Sequence, residues 1–467
     1  MWNVGFLEFS FCGEPMIVMK FGGSSVRDAA SIERVIKIIQ EHMPLNPVIV
    51  VSAMGKTTRK LLAAGALASE GKTAEALDQL AALESYHHAA LSQLGEDHRN
   101  SPVFSLMAGY FREMHDLAKG LSILKEFSPR SQDAIAAYGE LLSSAILAAG
   151  LESRGVKVRL LDSRRLMITD DHFTAAEPIE ETARARILAA LLPELERGST
   201  PVMQGYIGAT PAGATTTLGF EGSDFTAAFV GAALDVTTIQ IWKDVPGLMS
   251  ADPAVIPDVQ TIPMATCDEM AELTYFGAKL LHPQAVWPAA QKRIPVQILN
   301  SWHPQDAGTV IQESAVTPPQ GVRSIAFKRG LALLHIVSNR QKPISEFMKE
   351  VLEVLDRHRL TPDLIAISSL HCRLALDVNL PFERLLPELH RLGTVEIERG
   401  KASICLVGQG LIQQPGIAAL ALRAVSDLQL DLISQGSSPN SLMMVFDETH
   451  LETGLKRIHQ QFFKRET

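Results

Sequence analysis

Hydrophobic positions follow two rhythms between residues 16 and 313. Short continuous apolar runs, such as residues 48–51 (Val-Ile-Val-Val), are typical of parallel strands that are covered on both faces. Between these runs, apolar residues recur at helical spacing, as in residues 31–41, where Ile32, Val35 and Ile39 share one face. Strands that alternate with amphipathic helices predict an α/β fold with a mostly parallel sheet between helices.

The same patterns predict individual elements of one large domain over residues 16–313. Its predicted strands are residues 16–19, 48–51, 156–161, 201–208, 239–242 and, as the final one, 295–300; residues 307–311 close the domain. Its clearest predicted helices are residues 31–41, 133–149 and 178–196. Most of residues 61–150 is rich in Ala and Leu, which also favours helix.

A different order of elements follows a predicted linker over residues 314–322, which contains Pro318 and Pro319. Strand and helix patterns then repeat weakly, as β-α-β-β-α-β over residues 323–397 and again over residues 398–467. Units of this type are small ferredoxin-like modules. Since neither repeat contains an acid–base cluster, we expect a sensor or dimerisation function for them.

Composition and charge narrow the class of protein. The 467 residues are 46% hydrophobic and 20% charged, with a net charge of −9, so a globular protein without a nucleic-acid surface is expected. Four scattered cysteines predict a reduced cytoplasmic location and no structural zinc. No apolar run looks long enough to span a bilayer, so we expect no membrane partner. Residues 1–15 lack the basic region of a signal peptide and are interpreted as a dispensable extension.

The strand that leads into Lys20 ends in Phe21-Gly22-Gly23-Ser24, and a helical pattern follows from about Asp28. Glycines let a ligand approach the backbone, helix N-termini favour anions, and a lysine suits a phosphate oxygen. The stretch therefore indicates a phosphate site, although an ordinary strand–helix turn with a surface lysine fits equally well. A P-loop is excluded, because Val50 and Ala66 stand where the Gly-Lys-Thr tripeptides at 55–57 and 71–73 require a glycine.

Three further segments carry candidate chemistry. The polar loop at residues 52–58 follows a neighbouring strand and is expected at the same sheet edge as Lys20. Glu140, with Ser143 and Ser144 on the same helix face, suits an ammonium group, or is simply an acid near a helix N-terminus. The Gly-Ser-Asp at 222–224 is either a helix cap or a carboxylate that holds Mg²⁺ or a catalytic lysine.

Taken together, the motifs resemble those of the aspartate kinase family. The resemblance rests on these segments: Lys-Phe-Gly-Gly-Ser-Ser-Val at 20–26, Val-Ser-Ala-Met-Gly at 51–55, Gly-Ser-Asp-Phe at 222–225, Asp-Val-Pro-Gly at 244–247, Ala-Asp-Pro at 251–253 and Phe-Gly-Ala-Lys-Leu-Leu-His-Pro at 276–283. Residues 408–410 and 433–438 resemble the paired ACT domains of that family. The similarity covers residues 16–465, and the length is that of a monofunctional enzyme.

This resemblance implies an amino-acid-kinase domain that transfers the γ-phosphoryl of MgATP to the β-carboxylate of L-aspartate, followed by two ACT domains. It assigns Lys20 to the transition state and Asp224 to orienting Lys20. The implied ATP-binding residues are Lys20, Phe21, Gly22, Gly23, Ser24, Ser223, Lys243, Asp244, Lys279 and Leu280. The implied aspartate-binding residues are Ser52, Thr58 and Glu140. Magnesium is expected to arrive with ATP, without a protein metal site.

Three departures from the family pattern affect these expectations. The family usually has Arg-Gly-Gly-Ser-Asp, whereas this chain has Phe220 and Glu221 before Gly222. The absent arginine is expected to grip an aspartate carboxylate, so another cation replaces it or the affinity for substrate differs. Ala254 removes a second cation near the nucleotide, and Lys243, where threonine is common, is predicted to compensate there.

Two alternatives remain open beside an active aspartate kinase. An amino-acid-kinase-fold enzyme with another substrate would explain Phe220. A weakly catalytic amino-acid sensor would retain the ACT pair. Four retained residues argue against it: Lys20, Glu140, Asp224 and Lys279. In either kinase reading, we expect an amino-acid effector, lysine or threonine, and a homodimer or homotetramer formed through the ACT domains.

Overall fold

The computed structural model describes residues 15–95, 101–278, 280–313, 321–339 and 343–464. The chain divides into two compact units. The first unit is Met1–Gly247 with His282–Glu313, and the second is Leu248–Leu281 with Ser314–Thr467. The predicted linker at 314–322 and extension at 1–15 lie almost entirely outside the described residues.

The strands and helices are numbered along the whole chain. The strands are β1 Ile17–Phe21, β2 Pro47–Val51, β3 Val158–Leu160, β4 Thr200–Gln204, β5 Ile207–Ala209, β6 Thr215–Thr217, β7 Thr238–Lys243, β8 Met264–Thr266, β9 Val296–Asn300, β10 Thr309–Gln312, β11 Ser324–Ser338, β12 Leu364–Ile367, β13 His371–Asp377, β14 Gly393–Val407, β15 Leu430–Gln435 and β16 Ser441–Asp447. The helices are α1 Ala29–His42, α2 Thr57–Ser69, α3 Thr73–Leu94, α4 Pro102–Leu124, α5 Pro129–Ala136, α6 Tyr138–Glu152, α7 Glu180–Glu196, α8 Gly222–Leu234, α9 Cys267–Tyr275, α10 Pro283–Gln291, α11 Ile344–Arg357, α12 Phe382–Leu389, α13 Ile417–Ala424 and α14 Leu451–Phe463. Short 3₁₀ helices occupy Met43–Leu45, Ser163–Arg165, Leu411–Gln413 and Glu448–His450.

The first unit is built on a sheet with the strand order β3-β4-β2-β1-β7-β9-β10. Among these strands, all neighbouring pairs are parallel except β9 with β10, which are antiparallel. The central strand β1 is buried along its whole length, which explains its continuous apolar sequence. Lys20 lies opposite Val50 of β2 and Ile241 of β7, so the loops after β1, β2 and β7 meet at one edge of the sheet. The predicted α/β fold is confirmed.

Two local features differ from the sequence prediction. The strand predicted over 201–208 is divided into β4 and β5, because the chain turns at Tyr206, whose φ is +69°, and Gly205 donates its N–H to Val51 O. The nearly continuous helical segment Pro129–Glu152 is long and apolar enough to cross a membrane by length and composition alone. Within its most apolar window 94% is buried, as in a core helix, and it packs with α1, α3 and α4.

The second unit contains an antiparallel sheet with the order β12-β13-β11-β14-β16-β15. Two ferredoxin-like modules share this sheet, since β11 and β14 are long enough to serve both. The first module uses residues 331–338 of β11 and the second uses residues 401–407 of β14. Residues 324–328 of β11, at the start of the first predicted repeat, pair with residues 403–407 and complete the second module.

Residues 248–281 also belong to this second unit, although the sequence pattern grouped them with the preceding domain. Ala251 and Ile256 pack into the hydrophobic core that contains Ile404, Leu406 and Phe446. This packing places the segment that carries α9 beside the second ferredoxin-like module.

Candidate active site

Lys20 and Asp224 form a buried ion pair at the carboxyl edge of the first sheet. Lys20 is next to last in β1 and is 5% exposed, while Asp224 lies in the first turn of α8 and is 2% exposed. The Lys20 ammonium contacts Asp224 Oδ1. Lys243, the last residue of β7, places its Nζ 3.1 Å from Asp224 Oδ2. One carboxylate is thus held between two ammonium groups.

The protonation of this cluster follows from burial and from the three charges. Burial lowers the pKa of Lys20; the Asp224 carboxylate opposes this shift, and the Lys243 ammonium adds to it. Burial raises the pKa of Asp224, but Lys20 and Lys243 more than offset this and hold it below the ordinary value. Asp224 is therefore a carboxylate at neutral pH.

The start of α8 differs from the predicted cap. Neither Ser223 nor Asp224 caps the helix; the N-cap is Glu221, with a φ of +54° in the left-handed region. Because the helix begins one residue before Ser223, Asp224 lies inside the first turn and its side chain points to the two lysines. Gly205 makes room for this helix, since a Cβ there would lie 2.5 Å from Ser223 Cβ.

The glycine turn after β1 is fixed on both sides by backbone hydrogen bonds. Gly22 N–H donates to Trp242 O at 3.1 Å, and Gly55 N–H donates to Gly23 O at 2.9 Å. A Cβ on Gly23 would lie 2.7 Å from Ala53 O, so only glycine fits. Among the described residues, the amides of Gly23 and Ser24 have no hydrogen-bond partner, and they are available to ligand oxygens.

The first helix contributes less to an anion site than the sequence suggested. Asp28 caps α1, and its Oδ1 accepts a hydrogen bond of 2.8 Å from Ser31 N–H. A carboxylate at this helix N-terminus already uses one of the free amides and repels a second anion. The groups at this edge that could bind a phosphate are therefore the turn amides and Lys20 rather than the N-terminus of α1.

The predicted substrate residues Ser52, Thr58 and Glu140 come together at the same edge. Glu140 Oε1 accepts a hydrogen bond of 3.3 Å from Ala53 N–H, and Glu140 Oε2 is buried without a hydrogen-bond partner in the described part of the chain. At Gly139, a Cβ would lie 3.2 Å from Thr58 Oγ1. Burial raises the pKa of Glu140 to about 8, against the effect of the Ala53 N–H. An ammonium group would satisfy this unpaired oxygen.

The two serines on the Glu140 face have structural roles instead. Ser143 Oγ donates to Ser52 O at 2.7 Å and so ties α6 to the loop after β2. Ser144 Oγ accepts from Gln204 Nε2 at 2.7 Å. Of the three polar residues on this face, Glu140 is the one left for a ligand.

The segment that departs from the family pattern carries no cation of its own. The Phe220 side chain is 85% exposed and packs its ring edge-on to His282 at 6.4 Å between centroids. Glu221 accepts a hydrogen bond from His282 N–H. Phe220, Phe225, Phe229 and Trp287 line a neighbouring cavity of about 680 Å³, which the sequence pattern did not reveal.

The remaining predicted nucleotide residues are dispersed. Phe21 is buried in β1, and Asp244 is exposed just after β7. Leu280 belongs to the second unit, and Lys279 lies outside the described residues. Sequence reasoning missed Ser301, whose Oγ lies 2.8 Å from Ser25 Oγ and 3.0 Å from Lys243 O. Its position directly after a predicted strand was the available signal.

Comparisons with known proteins show similarity over almost the whole chain. The amino acid kinase family matches residues 15–300, and an ACT domain matches residues 404–462. The chain is 33% identical to Aspartokinase 1, chloroplastic, of Arabidopsis thaliana, over 96% of this chain and 80% of that protein. It is 32% identical to Lysine-sensitive aspartokinase 3 of Escherichia coli, over 96% of this chain and 99% of that protein.

Solved structures extend the likeness to three dimensions. The crystal structure of E. coli aspartokinase III in complex with aspartate and ADP has a TM-score of 0.81 at 30% identity, covering 96% of this chain and all of that one. The structure of the same enzyme with lysine and aspartate also has a TM-score of 0.81, at 31% identity and the same coverage.

Proposed function

Because this chain belongs to the aspartokinase family, we propose that the side chains at the carboxyl edge of its first sheet carry out phosphoryl transfer. The protein is an aspartate kinase, which phosphorylates the β-carboxylate of L-aspartate with ATP to give 4-phospho-L-aspartate. This reaction opens the biosynthesis of lysine, threonine and methionine. The substrate carboxylate attacks phosphorus directly, so the protein needs no nucleophile of its own.

The observation that best supports this proposal is the buried Lys20–Asp224 ion pair beside the glycine turn. Two anions, the ATP γ-phosphate and a carboxylate, must approach each other, so cations and N–H groups have to offset their repulsion. The amides of Gly23 and Ser24 and the Lys20 ammonium supply these groups, and Asp224 keeps Lys20 in place. Gly22, Phe21 and Ser223 shape the surrounding backbone.

Magnesium enters this proposal with ATP. Asp224 is occupied by two ammonium groups and is a poor ligand for a second cation. The metal would therefore be held by phosphate oxygens and water. The family resemblance implies nucleotide contacts for Asp244, Lys279 and Leu280. Aspartate binds on the other side, where Glu140 takes its ammonium group and Ser52 and Thr58 lie near its α-carboxylate.

A hydroxamate assay of purified wild type and Lys20→Ala tests the assignment. We expect wild type to form aspartyl hydroxamate with ATP, and Lys20→Ala to lose at least ~10³-fold in kcat, since it removes a cation from the reacting centre. Exposed Lys37→Met on α1 is the matched control, with unchanged activity. Full activity in Lys20→Ala would refute the site, and preference for glutamate or N-acetylglutamate over aspartate would instead redefine the substrate.

Regulation is proposed for the second unit. Two ACT modules suit an amino-acid effector, and the similar E. coli enzyme is named lysine-sensitive and was solved with lysine. We therefore expect lysine, rather than threonine, to inhibit this enzyme, within a cytoplasmic homodimer or homotetramer assembled through the ACT modules. Steady-state rates with lysine, threonine and both, together with the molar mass in solution, decide between these expectations.

A further inference from the structure

Lys243 gives Asp224 a second partner. The Lys20 ammonium contacts Oδ1 of the carboxylate, and Lys243 Nζ lies 3.1 Å from Oδ2. The two lysines come from adjacent parallel strands, β1 and β7, so the sheet itself fixes their spacing. The Lys243 side chain is 17% exposed and the Asp224 side chain 3% exposed.

Lys20 lies on the side of this cluster that faces the glycine turn. Its Nζ is 3.9 Å from the position that a Cβ of Gly22 would occupy. Among the described residues, the neighbouring amides of Gly23 and Ser24 have no hydrogen-bond partner. A phosphate held by these amides would therefore draw the Lys20 ammonium away from Asp224 and toward its own oxygens.

A buried carboxylate that loses its only cation is strongly disfavoured, and it responds by taking up a proton. If Asp224 had Lys20 alone, engagement of Lys20 with a phosphate would carry this penalty in every catalytic cycle. Lys243 removes the difficulty, because it stays with Oδ2 when Lys20 turns away.

We infer that Lys243 is a positioning residue that keeps Asp224 ionised and in place while Lys20 moves onto the transferred phosphoryl group. The inference rests on the proposed function of Lys20 and adds a role distinct from a nucleotide contact. No bond is made or broken by Lys243; it acts through Asp224. Threonine, the residue expected here from the family resemblance, cannot supply a charge.

Kinetics of Lys243→Met and Lys243→Arg test the inference. In the free enzyme Lys243→Met leaves the Lys20–Asp224 pair intact, so the variant is expected to fold. Its kcat should fall ~10-fold or more, with the KM for ATP within about twofold of wild type. The acid limb of the kcat profile should move up by about one pH unit, because Asp224 then protonates more easily. Lys243→Arg should restore most of kcat and the wild-type pH profile.

Other outcomes overturn the inference. A raised KM for ATP at unchanged kcat would make Lys243 a nucleotide contact, and a lowered kcat with an unshifted acid limb would make its role merely structural. ADP affinity, measured by calorimetry, should be the same in Lys243→Met and wild type, and a loss of ADP binding would also contradict it. Failure of the proposed function would look different, since wild type itself would then not phosphorylate aspartate.

Discussion

Binding of aspartate should release a proton from Glu140. Burial raises the pKa of this carboxyl to about 8, so about nine tenths of it is protonated at pH 7 in the free enzyme. Only the carboxylate can pair with the substrate ammonium through the unsatisfied Oε2. The affinity for aspartate should therefore rise ~10-fold between pH 6 and 7, rise further toward pH 8, and level off above it.

Calorimetric titration with aspartate, in two buffers of different ionisation enthalpy, measures this directly. At pH 7 we expect ~0.9 proton released per aspartate bound, and almost none at pH 9. Glu140→Gln is the matched control: it keeps the shape, cannot ionise, and should bind aspartate weakly without pH dependence. A wild-type affinity that is flat from pH 6 to 8, with no proton released, would refute the reasoning.

The raised pKa of Glu140 has the opposite consequence for the stability of the free protein, which should fall as the pH rises. Since the pKa of Glu140 rises from 4.5 in the unfolded chain to about 8, its contribution to stability is complete below pH 4.5 and is lost as the pH rises through 8. A difference of this size corresponds to an upper limit of ~5 kcal/mol. Glu140→Gln should therefore unfold at a higher urea concentration than wild type at pH 9, and at a similar one at pH 4.5.

Three further substitutions test the packing of the first unit. Gly23→Ala places a Cβ 2.7 Å from Ala53 O, so it should abolish activity and lower the melting temperature. In the control Gly109→Ala in α4, the added Cβ meets nothing within 4 Å and should stabilise the helix by up to ~1 kcal/mol. Equal melting temperatures for the two variants would contradict this expectation. Asp133→Ala removes the buried acceptor of Thr217 Oγ1 at 2.6 Å and of the N–H groups of Thr217 and Thr174, and should lower the free energy of unfolding by ~3 kcal/mol in urea titrations. A loss below ~0.5 kcal/mol would show that water satisfies these donors.

Much of the fold could be predicted from the sequence, because buried segments have characteristic local patterns of apolar residues. β1 and β2 are buried on both faces and read as unbroken apolar runs, and the repeat of strands and helices after residue 322 identified the ferredoxin-like modules. The meeting of the loops after β1 and β2 was predictable because the carboxyl ends of parallel strands converge. Glu140 was singled out instead by its position on one helix face with Ser143 and Ser144.

The features that could not be predicted depend on contacts between residues far apart in the sequence or on unusual backbone torsions. Nothing near Lys243 indicates that Asp224 is its partner, since the contact is made by the sheet and by α8. The turn at Tyr206 and the cap at Glu221 both use a positive φ at a residue other than glycine, and neither residue type by itself indicates such a conformation. The use of β11 by both modules involves pairing between residues far apart in sequence.

That shared strand has a practical consequence for dissecting the protein. If the second ACT module were expressed alone from residue 401, its β14 would lack residues 324–328 and would present an unpaired edge to solvent. Such a fragment should self-associate through that edge, whereas one that begins before residue 324 should stay dispersed. The two modules are in this sense interlocked, and we expect them to unfold together as one cooperative unit.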